Sequence, residues 1–158
     1  MARIVAMSAV GPGRWSPYAL SVRNFATFRY AQEFYRTAQK VGSPMVQAYL
    51  LGHALELFLK SYLMKAGLTT TTLKRKLYSH DLVKLLAAAR AKNLESIVRV
   101  TPILERSVAE LATVYPETLR YFSLLQLLAP PRLPSLVRPF RFAKALNKGL
   151  ECHVNIET

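Results

Sequence analysis

Hydrophobic positions recur every three to four residues over most of the chain, and this spacing predicts helices. From about Ser16 or Tyr18 to Lys40, the side chains of Phe28, Ala31, Tyr35 and Ala38 share one side, with Arg29, Glu33, Arg36 and Lys40 opposite. Gly42-Ser43-Pro44 ends this helix, and Ser43-Pro44 opens the next as a cap followed by proline at the first helical position. The second helix runs to just before Gly67. Leu50, Leu51, Ala54, Leu55, Leu57, Phe58, Tyr62 and Met64 leave it apolar nearly all round, which predicts a place in the middle of a bundle. Thr69 to Thr72, followed by Lys74-Arg75-Lys76, reads as a polar, basic connection made of poor helix formers.

A third helix starts near Ser79-His80-Asp81, buries Leu82, Leu85, Leu86 and Ala89, and ends at Lys92-Asn93. Thr101-Pro102 caps a fourth, with Leu104, Val108, Leu111 and Tyr115 on one face and Pro116 closing it. Leu119 to Leu128 fits a short helix or an extended piece equally well. Pro130, Pro131, Pro134 and Pro139 predict a stiff linker, followed by a short helix from about Arg138 to Cys152 with Ala143, Leu146 and Leu150 apolar. Short connections favour antiparallel neighbours. The expected fold is therefore all-α: an antiparallel up-and-down four-helix bundle with a short C-terminal extension. A single domain spans 1–158, with its core at about 16–128 and the linker and terminal helix at 129–158.

Composition agrees with a folded domain. The chain has 158 residues, 51% of them hydrophobic and 20% charged, enough to bury a core without disulfide or metal staples. The longest stretch without a charged residue, Val41 to Leu55, is too short to span a bilayer and contains Gly42, Pro44 and His53. No membrane association is expected. The first residues read as a tail rather than a signal peptide. Cys152 is the one cysteine, and a lone thiol fits a reducing compartment, so the expected location is cytoplasmic.

Charge changes the picture. The formal net charge is +13, with +5 on residues 1–40, +4 on 41–80, +1 on 81–120 and +3 on 121–158. Such an excess attracts polyanions by counterion release and steers them at long range. RNA or a nucleotide is the expected partner; an acidic protein, or solubility alone, is the other reading of the same charge.

Three groups of residues could carry chemistry. Tyr49, His53, Glu56 and Lys60 stack along one face of the second helix. On a mostly buried helix, charged groups must pair, so His53, Glu56 and Lys60 either satisfy one another or line a polar pocket for a phosphate. The second group is Lys74-Arg75-Lys76-Leu77-Tyr78-Ser79-His80-Asp81. Its cations could bind a phosphodiester, His80 could move a proton near neutral pH, and Asp81 could orient the imidazole. Alternatively Asp81 caps the helix, His80 is an ordinary first-turn residue and the cations solvate a loop. The third, Arg120-Tyr121, could hold a phosphate and stack a base, or anchor a loop. No zinc spacing, phosphate-binding glycine loop, nucleophile elbow or metalloprotease helix appears, and neither metal nor cofactor is expected.

The run from Leu51-Gly-His-Ala-Leu-Glu to Lys60 and Gly67, followed by Ser79-His-Asp-Leu, resembles the second and third helices of a HEPN domain. Leu119-Arg-Tyr121 resembles the arginine-tyrosine that often follows the fourth helix there. The resemblance spans roughly residues 16–128. It implies a helical bundle that commonly forms homodimers and deals with RNA or nucleotides. Many members are metal-independent ribonucleases of toxin–antitoxin or other defence systems, some with an antitoxin or nucleotidyltransferase partner. Active members carry an arginine followed by about four to six residues and a histidine.

Arg75-Lys-Leu-Tyr-Ser-His80 has that spacing. It lies between the second and third helices, whereas the family's catalytic motif usually comes later, and no histidine follows Arg120 at the required distance. Three readings follow. In one, the chain is a homodimer that binds RNA or a nucleotide through its basic face without cleaving it, with His53, Glu56 and Lys60 packed inside or lining a pocket and Asp81, Arg120 and Tyr121 as substrate-binding candidates. In the second it is a metal-independent endoribonuclease, with His80 as acid/base, Arg75 stabilising the phosphate, and Lys74 and Lys76 guiding the substrate. A dimerisation or interaction protein without either activity is the third.

Overall fold

The structure, a computed structural model, describes residues 17–75, 78–115 and 132–154. These residues are all helical or connecting, with no strand among them. Helix α1 is Pro17–Lys40 and α2 is Pro44–Lys65; α3 is a single turn, Thr70–Lys74. Helix α4 is Leu82–Ala91, followed by a 3₁₀ turn at Leu94–Ser96; α5 is Pro102–Val114 and α6 is Val137–Val154. The four helices expected from the pattern are α1, α2, α4 and α5. The described residues add α3 and give α6 a larger part than a short extension.

The α1–α2 pair is antiparallel. Going down α1 while going up α2, Gln47 Nε2 donates to the Ala38 carbonyl at 3.0 Å and the Phe34 ring meets His53 at 4.4 Å. Further along, Phe28 meets Phe58 at 5.9 Å and Ser61 Oγ donates to Asn24 Oδ1 at 2.5 Å. The three-residue connection leaves the chain no room to turn any other way. Helix α2 packs against α1, α4, α5 and α6, and ten of its residues are buried, Glu56 among them. Its apolar circumference is thus explained by neighbours on several sides.

Local chemistry sets the boundaries. Thr69 Oγ1 accepts from the Thr72 amide at 3.2 Å, and Leu73 is buried. A capping hydroxyl and one anchored leucine make a helical turn where propensity alone predicts a connection. Asp81 caps α4 and Thr101 caps α5, each accepting from the amide three residues on. Asn93, at φ 65°, takes the left-handed conformation that ends α4. Pro139 lies in the first turn of α6, where a missing N–H breaks no helical bond. Phe142, Ala143, Leu146 and Leu150 of α6 are buried in the same core as α2. Gln32, itself buried, ties α6 to α1 by donating to Asn147 Oδ1 at 2.8 Å.

Candidate functional site

The buried Glu56 carboxylate, 2% exposed, organises the polar face of α2. Lys60, one turn on, brings Nζ to 2.6 Å from Glu56 Oε1, and the same ammonium donates to the Ser79 carbonyl at 2.6 Å. Tyr115, just past the end of α5, donates its hydroxyl to Glu56 Oε2 at 2.5 Å. His80, in the loop before α4, sets Nδ1 at 3.0 Å from Oε2 and 3.2 Å from Oε1. Segments far apart in sequence therefore converge on one carboxylate.

Burial pushes the Glu56 carboxyl up, but the charge of Lys60 and the hydrogen bonds from Lys60, Tyr115 and His80 outweigh it and hold the group below the ordinary glutamate range. An ionised carboxylate can only accept. His80 must then carry its proton on Nδ1, which leaves Nε2 for proton exchange on a ring with 34% of its side chain exposed. Nε2 has no hydrogen bond among the described residues. The Tyr115 hydrogen is spent on Glu56, so His53 Nδ1, 3.1 Å from the Tyr115 oxygen, donates to it. His53 also stacks on Tyr49 at 6.2 Å with a 6° interplanar angle and meets the Phe34 ring edge-on.

The Tyr115 ring lies against Gly52. A Cβ at position 52 would sit 2.8 Å from both Cγ and Cδ2 of that ring and 3.3 Å from its Cβ. These atoms are at the root of the side chain and cannot swing away cheaply. Gly52→Ala is expected to destabilise the fold by about 1–3 kcal/mol as an overpacking change and to draw the hydroxyl off Glu56. Thermal denaturation and the Tyr115 ring resonances in an NMR spectrum would read the two effects. A variant as stable as the parent with unmoved resonances would refute the close fit.

Beside this cluster is a cleft of about 290 Å³ between α1, α2 and α3. Arg23, Lys60 and Lys74 supply its charge, Tyr30 an exposed aromatic ring, and Leu57 and Leu73 part of its apolar wall. No carboxylate among the described residues lines it. Lys60 belongs to both places. Of its three N–H donors, Glu56 and Ser79 engage two.

Of the residues singled out from sequence, His53, Glu56, Lys60 and His80 come together and Lys74 lines the adjoining cleft. Asp81 does not hold the imidazole. Its carboxylate accepts from the Lys84 amide and pairs with Lys84 Nζ, both at 3.0 Å, so it is a helix cap. Arg75 shares the loop with His80, and its carbonyl accepts from the Tyr78 and Ser79 amides. Its guanidinium makes no ion pair among the described residues. Lys76, Arg120 and Tyr121 lie outside the described residues.

Arg23 and Tyr30 line the cleft and Tyr115 joins the Glu56 cluster, placements that the motifs did not reveal. For Tyr115 a signal existed: a tyrosine on an apolar helix face needs a buried partner for its hydroxyl, and Glu56 needed a donor. No group of three or more metal-ligating side chains exists among the described residues, and no described helix is long and apolar enough to cross a membrane. No family model, curated protein or solved structure matches the chain.

Proposed function

We propose that this protein is a HEPN-like antiparallel helical bundle that binds RNA or a nucleotide through phosphate, at the face shared by His80 and the α1–α2–α3 cleft. The observation that carries the reading is the cleft itself: Arg23, Lys60 and Lys74 converge on one concavity that, among the described residues, no carboxylate lines. Cations so arranged favour a phosphate, and Tyr30 at the rim offers a base a stacking surface.

A second reading, metal-independent endoribonuclease, is favoured by one specific feature, the Glu56–His80 hydrogen bonds. They support a tautomer with a free Nε2, which would accept the proton of a ribose 2′-hydroxyl as its oxygen attacks the adjacent phosphorus. Protonation of the leaving 5′-oxygen needs a second acid. His80 of a second copy would supply it across a twofold axis, which is how a homodimer with one such histidine per chain completes the reaction.

Incubation of the full chain with labelled RNA in EDTA tests both. For binding, an Arg23→Gln/Lys74→Gln variant is expected to bind more weakly, with the log–log salt slope reduced by about 0.7 for each phosphate no longer neutralised. Affinity and slope equal to the parent's would overturn the cleft assignment. For cleavage, product forms despite the chelator, and His80→Ala lowers the rate by about 10²–10⁴. RNA that stays intact leaves the binding function alone standing.

A further inference from the structure

A second basic concavity, of about 300 Å³, lies between the segment leading into α5, the first turn of α5, and α6. Arg99, Arg138 and Arg141 line it, with Val98, Leu104 and Phe142 as its apolar floor and no carboxylate among the described residues of its wall. It shares no residue and no helix with the cleft beside His80. The charges nearby are treated differently. Arg90 is neutralised by Glu95 and Glu105, and Arg106 by Glu110. Arg99, Arg138 and Arg141 make no ion pair or side-chain hydrogen bond among the described residues, although each is exposed.

The basic surface continues beyond the concavity. Lys144 and Lys148 are exposed on α6 and are likewise unpaired among the described residues. At about 100° and 1.5 Å per residue, Arg138, Arg141, Lys144 and Lys148 fall within an arc of roughly 120° and extend over about 15 Å of helix. A compact anion would need only the arginines of the concavity. Cations repeated in line at intervals of about 5 Å suit a ligand whose own charges repeat.

We propose that this face of α6 is a binding site for a single-stranded nucleic acid, with Arg99, Arg138 and Arg141 gripping phosphates at the concavity and Lys144 and Lys148 following the strand. The exposed Ile103 and Val137 beside the concavity, and its apolar floor, give a base somewhere to rest out of water. The guanidiniums recognise successive phosphate oxygens, and most of the attraction comes from releasing the strand's counterions.

The test is fluorescence polarisation of a labelled 20-residue oligouridylate titrated with the full chain over a range of salt. An Arg99→Gln/Arg138→Gln/Arg141→Gln variant keeps the side-chain stems and removes only exposed charge, so its melting temperature should match the parent's. Its affinity is expected to fall at least tenfold, and its log–log salt slope to shrink by about 2, from roughly 0.7 for each of three phosphates no longer neutralised. Affinity and slope unchanged from the parent would overturn the proposal. Displacement of the strand by micromolar ATP from the Arg23→Gln/Lys74→Gln variant, whose other cleft is disabled, would overturn it too, by making the concavity a seat for a compact nucleotide. Because the Arg23/Lys74 variant probes the other cleft separately, either site can fail while the other stands.

Discussion

Deleting α6, by ending the chain at Leu133, is expected to unfold the protein. Phe142, Leu146 and Leu150 are buried within the core around α2. Burying a large apolar side chain stabilises by roughly 1.5–3 kcal/mol, and three of them together approach the whole stability of an ordinary domain, about 5–15 kcal/mol. The damage does not stop with α6. Phe140 packs against Tyr35 at 6.2 Å, and Gln32 of α1 would be left without its acceptors Asn147 and Glu151. The shortened chain should lose its cooperative thermal transition and much of its helical circular dichroism. A truncated protein that melts cooperatively near the parent's temperature would show that α6 is an accessory after all. Leu146→Ala offers a graded version, with an expected loss of about 2–5 kcal/mol.

That helix also shows where sequence reading reached its limit. The positions of Ala143, Leu146 and Leu150 are legible as an apolar face, yet Pro130, Pro131, Pro134 and Pro139 read together as a stiff linker, although Pro139 lies in the first turn of α6 itself. Nothing local says which helices that face packs against. The same is true at the candidate site. The stripe of His53, Glu56 and Lys60 is visible because helical spacing is local, and the Glu56–Lys60 pair forms as the spacing implies. His80 and Tyr115 join it from 24 and 59 residues away. Those meetings depend on how α4 and α5 settle on α2, which periodicity does not encode. Asp81 is the complementary case. Next to His80 in sequence, it could be read as its partner, but an aspartate at a helix start finds backbone amides within immediate reach, and Glu56 takes the imidazole instead.

Glu56→Ala is expected to destabilise the protein by about 3–5 kcal/mol, the cost of leaving one member of a buried ion pair without its partner. In a chain of this length the melting temperature should fall by on the order of 10 °C. The Lys60 ammonium would face the bundle without its countercharge, and the Tyr115 hydroxyl and His80 Nδ1 would lose their acceptor. If the uncompensated charge is the cause, Glu56→Leu/Lys60→Met should recover part of the loss, since an apolar pair needs no neutralisation. Acid acts on the same group. The folded-state carboxyl titrates below its unfolded value, near 4.3, because Lys60 and the hydrogen bonds overcome the opposing effect of burial. As pH falls the unfolded chain therefore takes up this proton first. The contribution is complete above about pH 5 and is lost as pH drops from about 4.3 through the folded value. Urea midpoints measured from pH 7 to pH 3 should show this loss in the parent and a flatter profile in Glu56→Gln. A Glu56→Ala variant within about 1 kcal/mol of the parent would mean that water already reaches the carboxylate, and the anchored His80 on which the proposed proton transfer rests would lose its physical basis.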